Sequence, residues 1–223
     1  LMEKLQEVCS LLFQRQNLLV SVTGGREGYA ALRNMSDQIT DGLYADTEKE
    51  SIEISLPDQK NEGFKDASQI QYVSLAGNYA QSGFSYHGAM RVFKVIMNYE
   101  YLWQNIRVKG GAYGCSTNVG RNGDVCFLSY RDPNLERTLE VYRGVTDYLK
   151  EFELDERGMT RFVIGAFSEL DAPLTPMSQG RRSLLSYLTG VSYEMIQKER
   201  EQALHTCLQD IRNLAETMQA VLD

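Results

Sequence analysis

The fold of this chain is decided by residues 85–130, whose sequence is SYHGAMRVFKVIMNYEYLWQNIRVKGGAYGCSTNVGRNGDVCFLSY. The first part of this stretch predicts a helix that begins near Ser85 and ends near Arg107, because its apolar residues recur at helical spacing. These residues are Ala89, Val92, Phe93, Ile96, Tyr99 and Trp103. Two glycines, Gly110 and Gly111, then break the helix. The last part predicts strands over 112–119 and 124–130, and the Asn-Gly pair at 122–123 favours a hairpin between them.

The flanking sequence extends this pattern in both directions. Upstream, it predicts a helix within 1–16, a strand over 18–22, a second helix ending near Gly42, and strands over 51–56 and 69–76. Downstream it predicts five helices, whose expected first residues are Asp132, Asp155, Thr175, Ser192 and Thr206, the last with Gln209 in a capping box. Clustered strands followed by clustered helices indicate an α+β fold. We expect a largely antiparallel sheet with helices on one face and a helix-rich C-terminal half.

Composition limits the functional classes. The chain has 223 residues and a net charge of −7 without a long basic run, which argues against nucleic-acid binding. No apolar run approaches the roughly 18 residues that a membrane span needs, and the four cysteines show no metal or disulfide spacing. No linker-like segment divides the chain, so we expect one domain over 17–223. The start at Leu1 predicts that helix 1–16 continues from a preceding domain.

Common catalytic motifs are absent from the sequence. The two histidines, His87 and His205, lie far apart and neither belongs to an HExxH or HxxEH motif, so we expect no metal site in this chain. There is no Gly-x-Ser-x-Gly elbow. The glycines of segment 20–28 lack the spacing of a phosphate-binding loop and are typical of a tight turn between a strand and a helix.

The sequence RVKGGAYG at 107–114 carries the strongest candidate site. Glycines permit a sharp turn, so the guanidinium of Arg107 and the phenol of Tyr113 could lie side by side on a groove. In the alternative interpretation, Arg107 binds the last carbonyls of its helix and Tyr113 packs into the sheet. Residue spacing alone leaves both interpretations open.

This region resembles the last domain of the presequence-protease branch of the pitrilysin/insulinase superfamily of zinc metallopeptidases. Besides 107–114, the resemblance rests on QYVSLAGNY at 71–79, the helix before Arg107, SYRDPN at 129–134 and the helical tail. It covers most of the chain. Ala76 stands where we expect a glycine, which is a minor departure.

The resemblance implies a role within a longer enzyme. Such enzymes enclose peptides between two halves, and their zinc ligands lie in a first domain that this chain lacks. The last domain contributes an arginine and a tyrosine to the active site, here Arg107 and Tyr113. Gly110, Gly111 and Asn78 become candidate substrate-binding positions. The expected partners are the N-terminal domains of the same polypeptide and unstructured peptide substrates, with no nucleic acid or membrane.

The resemblance also implies a compartment and leaves two alternatives. We expect the bacterial cytoplasm or an organellar matrix, and we expect the fragment alone to be inactive, because its zinc motif is missing. One alternative is a non-catalytic scaffold subunit of the same superfamily. The other is a stand-alone peptide-binding α+β domain.

Overall fold

The computed structural model describes residues 1–45 and 61–222 of the chain. It contains two compact units. The first comprises Leu1–Phe64 and Pro173–Gly190, and the second comprises Lys65–Ala172 and Val191–Asp223. The sheet and the candidate site lie in the second unit. That helix 1–16 continues from a preceding domain stays a prediction, as does a single domain over 17–223.

Helices dominate the described residues. In chain order the elements are α1 (Met2–Leu12), a 3₁₀ turn (Arg15–Asn17), α2 (Arg26–Thr40), β1 (Gln71–Asn78), a second 3₁₀ turn (Tyr79–Ser82), α3 (Ala89–Ile96), two π-helical segments (Met97–Tyr101 and Trp103–Val108), β2 (Gly114–Val119), β3 (Asp124–Asp132), α4 (Glu136–Arg143), α5 (Val145–Lys150), α6 (Glu156–Leu170), α7 (Pro176–Leu188), α8 (Tyr193–Leu204) and α9 (Leu208–Leu222).

The three strands form an antiparallel sheet in the order β1-β3-β2. Side chains alternate along each strand, as the pleat requires. One face contributes Val73, Val125 and Phe127 to the buried core, and α3, α4 and α9 contact the strands. The other face is exposed at Tyr72 and Leu128. This arrangement confirms the predicted α+β class, with helices packed on one face of an antiparallel sheet.

The long central helix begins at Ala89 rather than near Ser85. Its first turn is fixed by a distant partner, because the backbone N–H of Gly88 donates to the side-chain oxygen of Gln202 in α8 at 2.9 Å. Gly88 itself packs closely on α8, where a Cβ would lie 2.2 Å from the carbonyl oxygen of Glu199. The Ala89 N–H donates to Nδ1 of His87 at 3.2 Å. A long-range contact therefore sets the boundary that local spacing placed four residues too early.

The predictions for short local elements had mixed outcomes. The predicted helix starts at Asp155, Thr175 and Ser192 are confirmed, since each side chain accepts a backbone N–H of the first turn. The strand predicted over 18–22 is wrong, because these residues have no strand structure. A strand needs a neighbour that takes up its backbone hydrogen bonds, and nothing in the described ranges pairs with 18–22 in this way. The strand predicted over 51–56 lies outside the described residues.

Two predicted helix caps were wrong. Asp132 is the last residue of β3, and α4 begins only at Glu136. The last helix begins at Leu208, where the Cys207 N–H donates to the Asp210 carboxylate at 2.8 Å. Thr206 instead donates its hydroxyl to a carbonyl of the preceding turn, so the predicted capping box does not form. In both places a different partner satisfies the polar side chain.

Candidate functional site

Arg107 lies in the second π-helical segment, one residue before its end. π-helical turns are rare and are found frequently at functional sites. The Arg107 guanidinium carbon stacks 4.4 Å from the ring centre of Trp103, and Nη1 donates to the carbonyl oxygen of Tyr113 at 2.6 Å. This hydrogen bond crosses the glycine turn to the start of β2 and does not return to the helix. The arginine is thus held in one orientation by a ring and a carbonyl.

The turn at Gly110 and Gly111 brings the two candidate residues together. A Cβ on Gly110 would lie 2.4 Å from the carbonyl oxygen of Ile106, and Gly111 has a φ of +79°, so both positions favour glycine. The side chain of Asn134 donates to the Gly110 carbonyl at 2.6 Å. Arg137 donates to the Lys109 carbonyl at 3.1 Å. The segment after β3 therefore holds this turn in place from outside.

Tyr113 belongs to an exposed group of tyrosines. Its side chain is 56% exposed, and its ring meets that of Tyr130 edge-on, with ring centres 5.4 Å apart. Tyr130 stacks in turn on Tyr72, with ring centres 6.4 Å apart. Gly114 leaves space beneath the Tyr130 ring, since a Cβ there would lie 2.1 Å from a ring carbon. Tyr113 is thus exposed just before β2, with the Arg107 guanidinium carbon 5.7 Å from its ring centre.

A second guanidinium approaches the same tyrosine. The carbon of the Arg131 guanidinium lies 5.4 Å from the Tyr113 ring centre, and that of Arg107 lies 5.7 Å from it. The cause is a β-bulge: Val73 pairs with Ser129 and Gln71 pairs with Asp132, so two residues of β3 oppose one of β1. Tyr130 and Arg131 consequently point away from the core one after the other.

The bulge has a left-handed backbone at Arg131. Its φ is +48°, a conformation that residues with a Cβ seldom adopt. The next residue, Asp132, is 0% exposed, and its carboxylate accepts hydrogen bonds from Ser129 Oγ at 2.6 Å and Thr138 Oγ1 at 2.7 Å. It also accepts the Asn134 N–H at 2.8 Å. These bonds fix both ends of the bulge.

Asn78 lies at the other end of the sheet. It pairs with Asp124, which is six residues from Tyr130 along β3, or about 20 Å. Its side chain accepts two backbone N–H groups and donates to Asp124 Oδ1 and the Asn122 carbonyl. The structure therefore brings Arg107, Gly110, Gly111 and Tyr113 together and does not bring Asn78 to them.

The phenol and guanidinium groups of this surface are hydrogen-bond donors. Burial raises the pKa of the neighbouring Cys115 thiol to about 11, although the charge of Arg107 acts in the opposite direction. At neutral pH this cysteine is therefore a thiol and a poor nucleophile. Within the parts of the chain that the structure describes, no three His, Cys, Asp or Glu side chains are grouped so that they could hold a metal ion. The site can donate from a phenol and guanidinium groups, and it offers no metal ligand set.

A comparison with protein families matches residues 61–223 to the PreP C-terminal domain. The chain belongs to the PreP C-terminal domain family. Among curated proteins it is 37% identical over 214 residues to Protein HypA of Clostridium perfringens, covering 96% of this chain and 22% of that protein. It is 36% identical over 166 residues to presequence protease 1, chloroplastic/mitochondrial, of Arabidopsis thaliana, covering 74% of this chain and 15% of that protein. This PreP C-terminal domain thus spans about a fifth of the relatives' length or less.

The fold of this PreP C-terminal domain is also found among solved structures. A protease from Helicobacter pylori superposes with a TM-score of 0.62 over 97% of this chain and 56% of that chain. The sequence identity is 14%, so this likeness concerns the fold alone. No helix in the described ranges is both long and apolar enough to span a bilayer.

The sequence did not predict the part that several residues play in this site. Trp103 lies four residues before Arg107, a helical spacing that could have suggested the stack. Arg131 left no such signal, because strict alternation along β3 would have placed it in the core. Asn134 and Arg137 act through backbone carbonyls of a distant turn, which sequence spacing does not reveal.

Proposed function

We propose that this domain completes the active site of a zinc metalloendopeptidase that degrades short, unstructured peptides. Arg107 and Tyr113 would contact the substrate backbone and stabilise the negative oxygen that develops during peptide hydrolysis. The proposal is supported by membership in the PreP C-terminal domain family and by relatives named presequence proteases. The observation that carries it is the position of a phenol and a held guanidinium side by side on an exposed face.

The local contacts suit this role. An arginine has five N–H donors in a rigid fork, and the bond to the Tyr113 carbonyl occupies one nitrogen of Arg107. Trp103 and that carbonyl fix the guanidinium before substrate arrives, so little reorganisation accompanies the reaction. Arg107 is half-buried, and charges act more strongly where water is partly excluded.

The proposal assigns zinc to another domain of the same polypeptide, because the described residues do not offer a ligand set for it. This chain would contribute only hydrogen-bond donors, and we expect it to cleave no peptide by itself. Its partners would be the preceding domains and the peptide substrate. Since the related presequence proteases are named as mitochondrial or chloroplastic, we propose an organellar matrix, or the cytoplasm in a bacterium.

The test is made in the full-length enzyme that contains this domain. Arg107→Ala and Tyr113→Phe each remove one preorganised donor, and such a loss typically lowers kcat by about 10² to 10³. Peptide cleavage is measured beside thermal unfolding, with Arg157→Ala as the control, since Arg157 is an exposed arginine in α6. We expect both site variants to unfold like the parent and to cleave poorly. Near-normal cleavage by both would refute the assignment.

A further inference from the structure

The backbone at Arg131 is unusual because glycine would adopt it at lower cost. A left-handed backbone costs free energy at a residue with a Cβ. This conformation occurs where the surrounding structure enforces it, often at functional sites. The bulge at Arg131 removes this side chain from the core and aims it at the exposed face. The strain thus serves to present a guanidinium beside Tyr113.

Within the part of the chain that the structure describes, neither guanidinium at this surface has a charge partner. None of the ion pairs formed by the described residues includes Arg107 or Arg131. The adjacent carboxylate of Asp132 points into the core, where Ser129 and Thr138 hydroxyls bind it. The exposed face therefore presents two cations around one tyrosine ring, with no described carboxylate bound to either.

We propose that Arg131 binds a carboxylate of the peptide substrate next to Arg107 and Tyr113, which rests on the function proposed above. The planar guanidinium matches a carboxylate with two parallel hydrogen bonds. Arg107 is already bound to the Tyr113 carbonyl, whereas the contact of Arg131 is with the face of the Tyr113 ring. Arg131 is thus the more available of the two for an ionic contact. Its ligand is either an Asp or Glu side chain or the C-terminal carboxylate of a short peptide.

Matched peptides distinguish these two sources in the full-length enzyme. One pair differs by Glu or Gln at single positions around the cleaved bond, and the other by a free or amidated C-terminus. We expect the wild type to prefer one acidic member by about tenfold in kcat/KM, which corresponds to one charged hydrogen bond. The preference should reside mainly in KM, because the contact exists in the bound ground state as well.

The key variant is Arg131→Gly, which removes the guanidinium and suits the left-handed backbone. It should abolish the acidic preference, so that the acidic and neutral peptides are cleaved with the same kcat/KM, while Arg157→Ala should keep the preference. Arg131→Gln serves the same purpose if the glycine variant does not fold. The inference is overturned if the wild type shows no preference for a carboxylate, or if both Arg131 variants retain it.

The outcome also separates this inference from the proposed function. If Arg107→Ala and Tyr113→Phe both cleave normally, the active-site proposal itself fails. If Arg107→Ala is inactive while the Arg131 variants keep the acidic preference, only the carboxylate site is wrong.

Discussion

Replacing Arg131 by glycine and by alanine should change stability in different ways. Both substitutions remove the guanidinium from the Tyr113 ring, so the loss of that contact cancels in the comparison. Alanine keeps the Cβ at a φ of +48°, which costs about 1–2 kcal/mol in the left-handed region. Glycine avoids this cost but loses about 0.5–1 kcal/mol more through backbone entropy on folding. The glycine variant should therefore be more stable than the alanine variant by about 0.8 kcal/mol at the midpoints of these ranges.

Urea and thermal unfolding of the two variants measure this difference. A gap of 1 kcal/mol corresponds to roughly 2–4 °C in Tm for a domain of 150–250 residues. The dependence of stability on urea should be the same for both variants, since neither changes the buried area much. An alanine variant as stable as the glycine variant, or more stable, would refute the strained backbone and with it the argument that strain marks a function.

Three further predictions concern other contacts. Trp103→Ala frees the Arg107 guanidinium, and a lost cation–π contact of about 1 kcal/mol should lower kcat of the full-length enzyme roughly fivefold. Trp103→Phe should restore most of the lost kcat. An unchanged kcat in a folded Trp103→Ala enzyme would contradict the positioning role. Gly88→Ala should destabilise by about 1–3 kcal/mol in urea unfolding, because its Cβ would lie 2.2 Å from a backbone oxygen of α8; Gly28→Ala, where the space is open, should not. Burial raises the pKa of Tyr79 to about 12, so the phenol ionises first in the unfolded chain and stability should fall as pH rises from 10 to 12. Tyr79→Phe should lessen that fall. Equal slopes of stability against pH in the parent and the variant would exclude this phenol as the cause.

The sequence predicted features that depend on neighbours along the chain. The central helix, the hairpin after it and the caps at Asp155, Thr175 and Ser192 follow from spacing and turn chemistry, and the structure has them. Residue spacing left the adjacency of Arg107 and Tyr113 open, and in the structure Arg107 reaches the Tyr113 carbonyl across the glycine turn. The turn between these two residues also depends on Asn134 and Arg137, which bind its carbonyls from outside 107–113.

Features that depend on distant partners were missed. The start of the central helix is fixed by Gln202 from α8, more than a hundred residues away. Asp132 is not the predicted helix cap, because its carboxylate binds Ser129 and Thr138, which come together only once the strand and the next helix are placed. Arg131 was missed for a related reason: whether it faces the core or the exposed side depends on the register of β3 against β1.

Because of the π-helical segments before Arg107, the direction of its side chain depends on the exact number of residues in this helix. Each α-helical residue advances the direction of a side chain by about 100°, so deleting one residue from 97–108 and restoring α-helical pairing would rotate Arg107 away from Tyr113. The core contacts of Ala89–Ile96 lie before the change and would not register it. Met97, Leu102 and Ile106 are buried within the same stretch, so insertions and deletions there are constrained both by the core and by the arginine at its end.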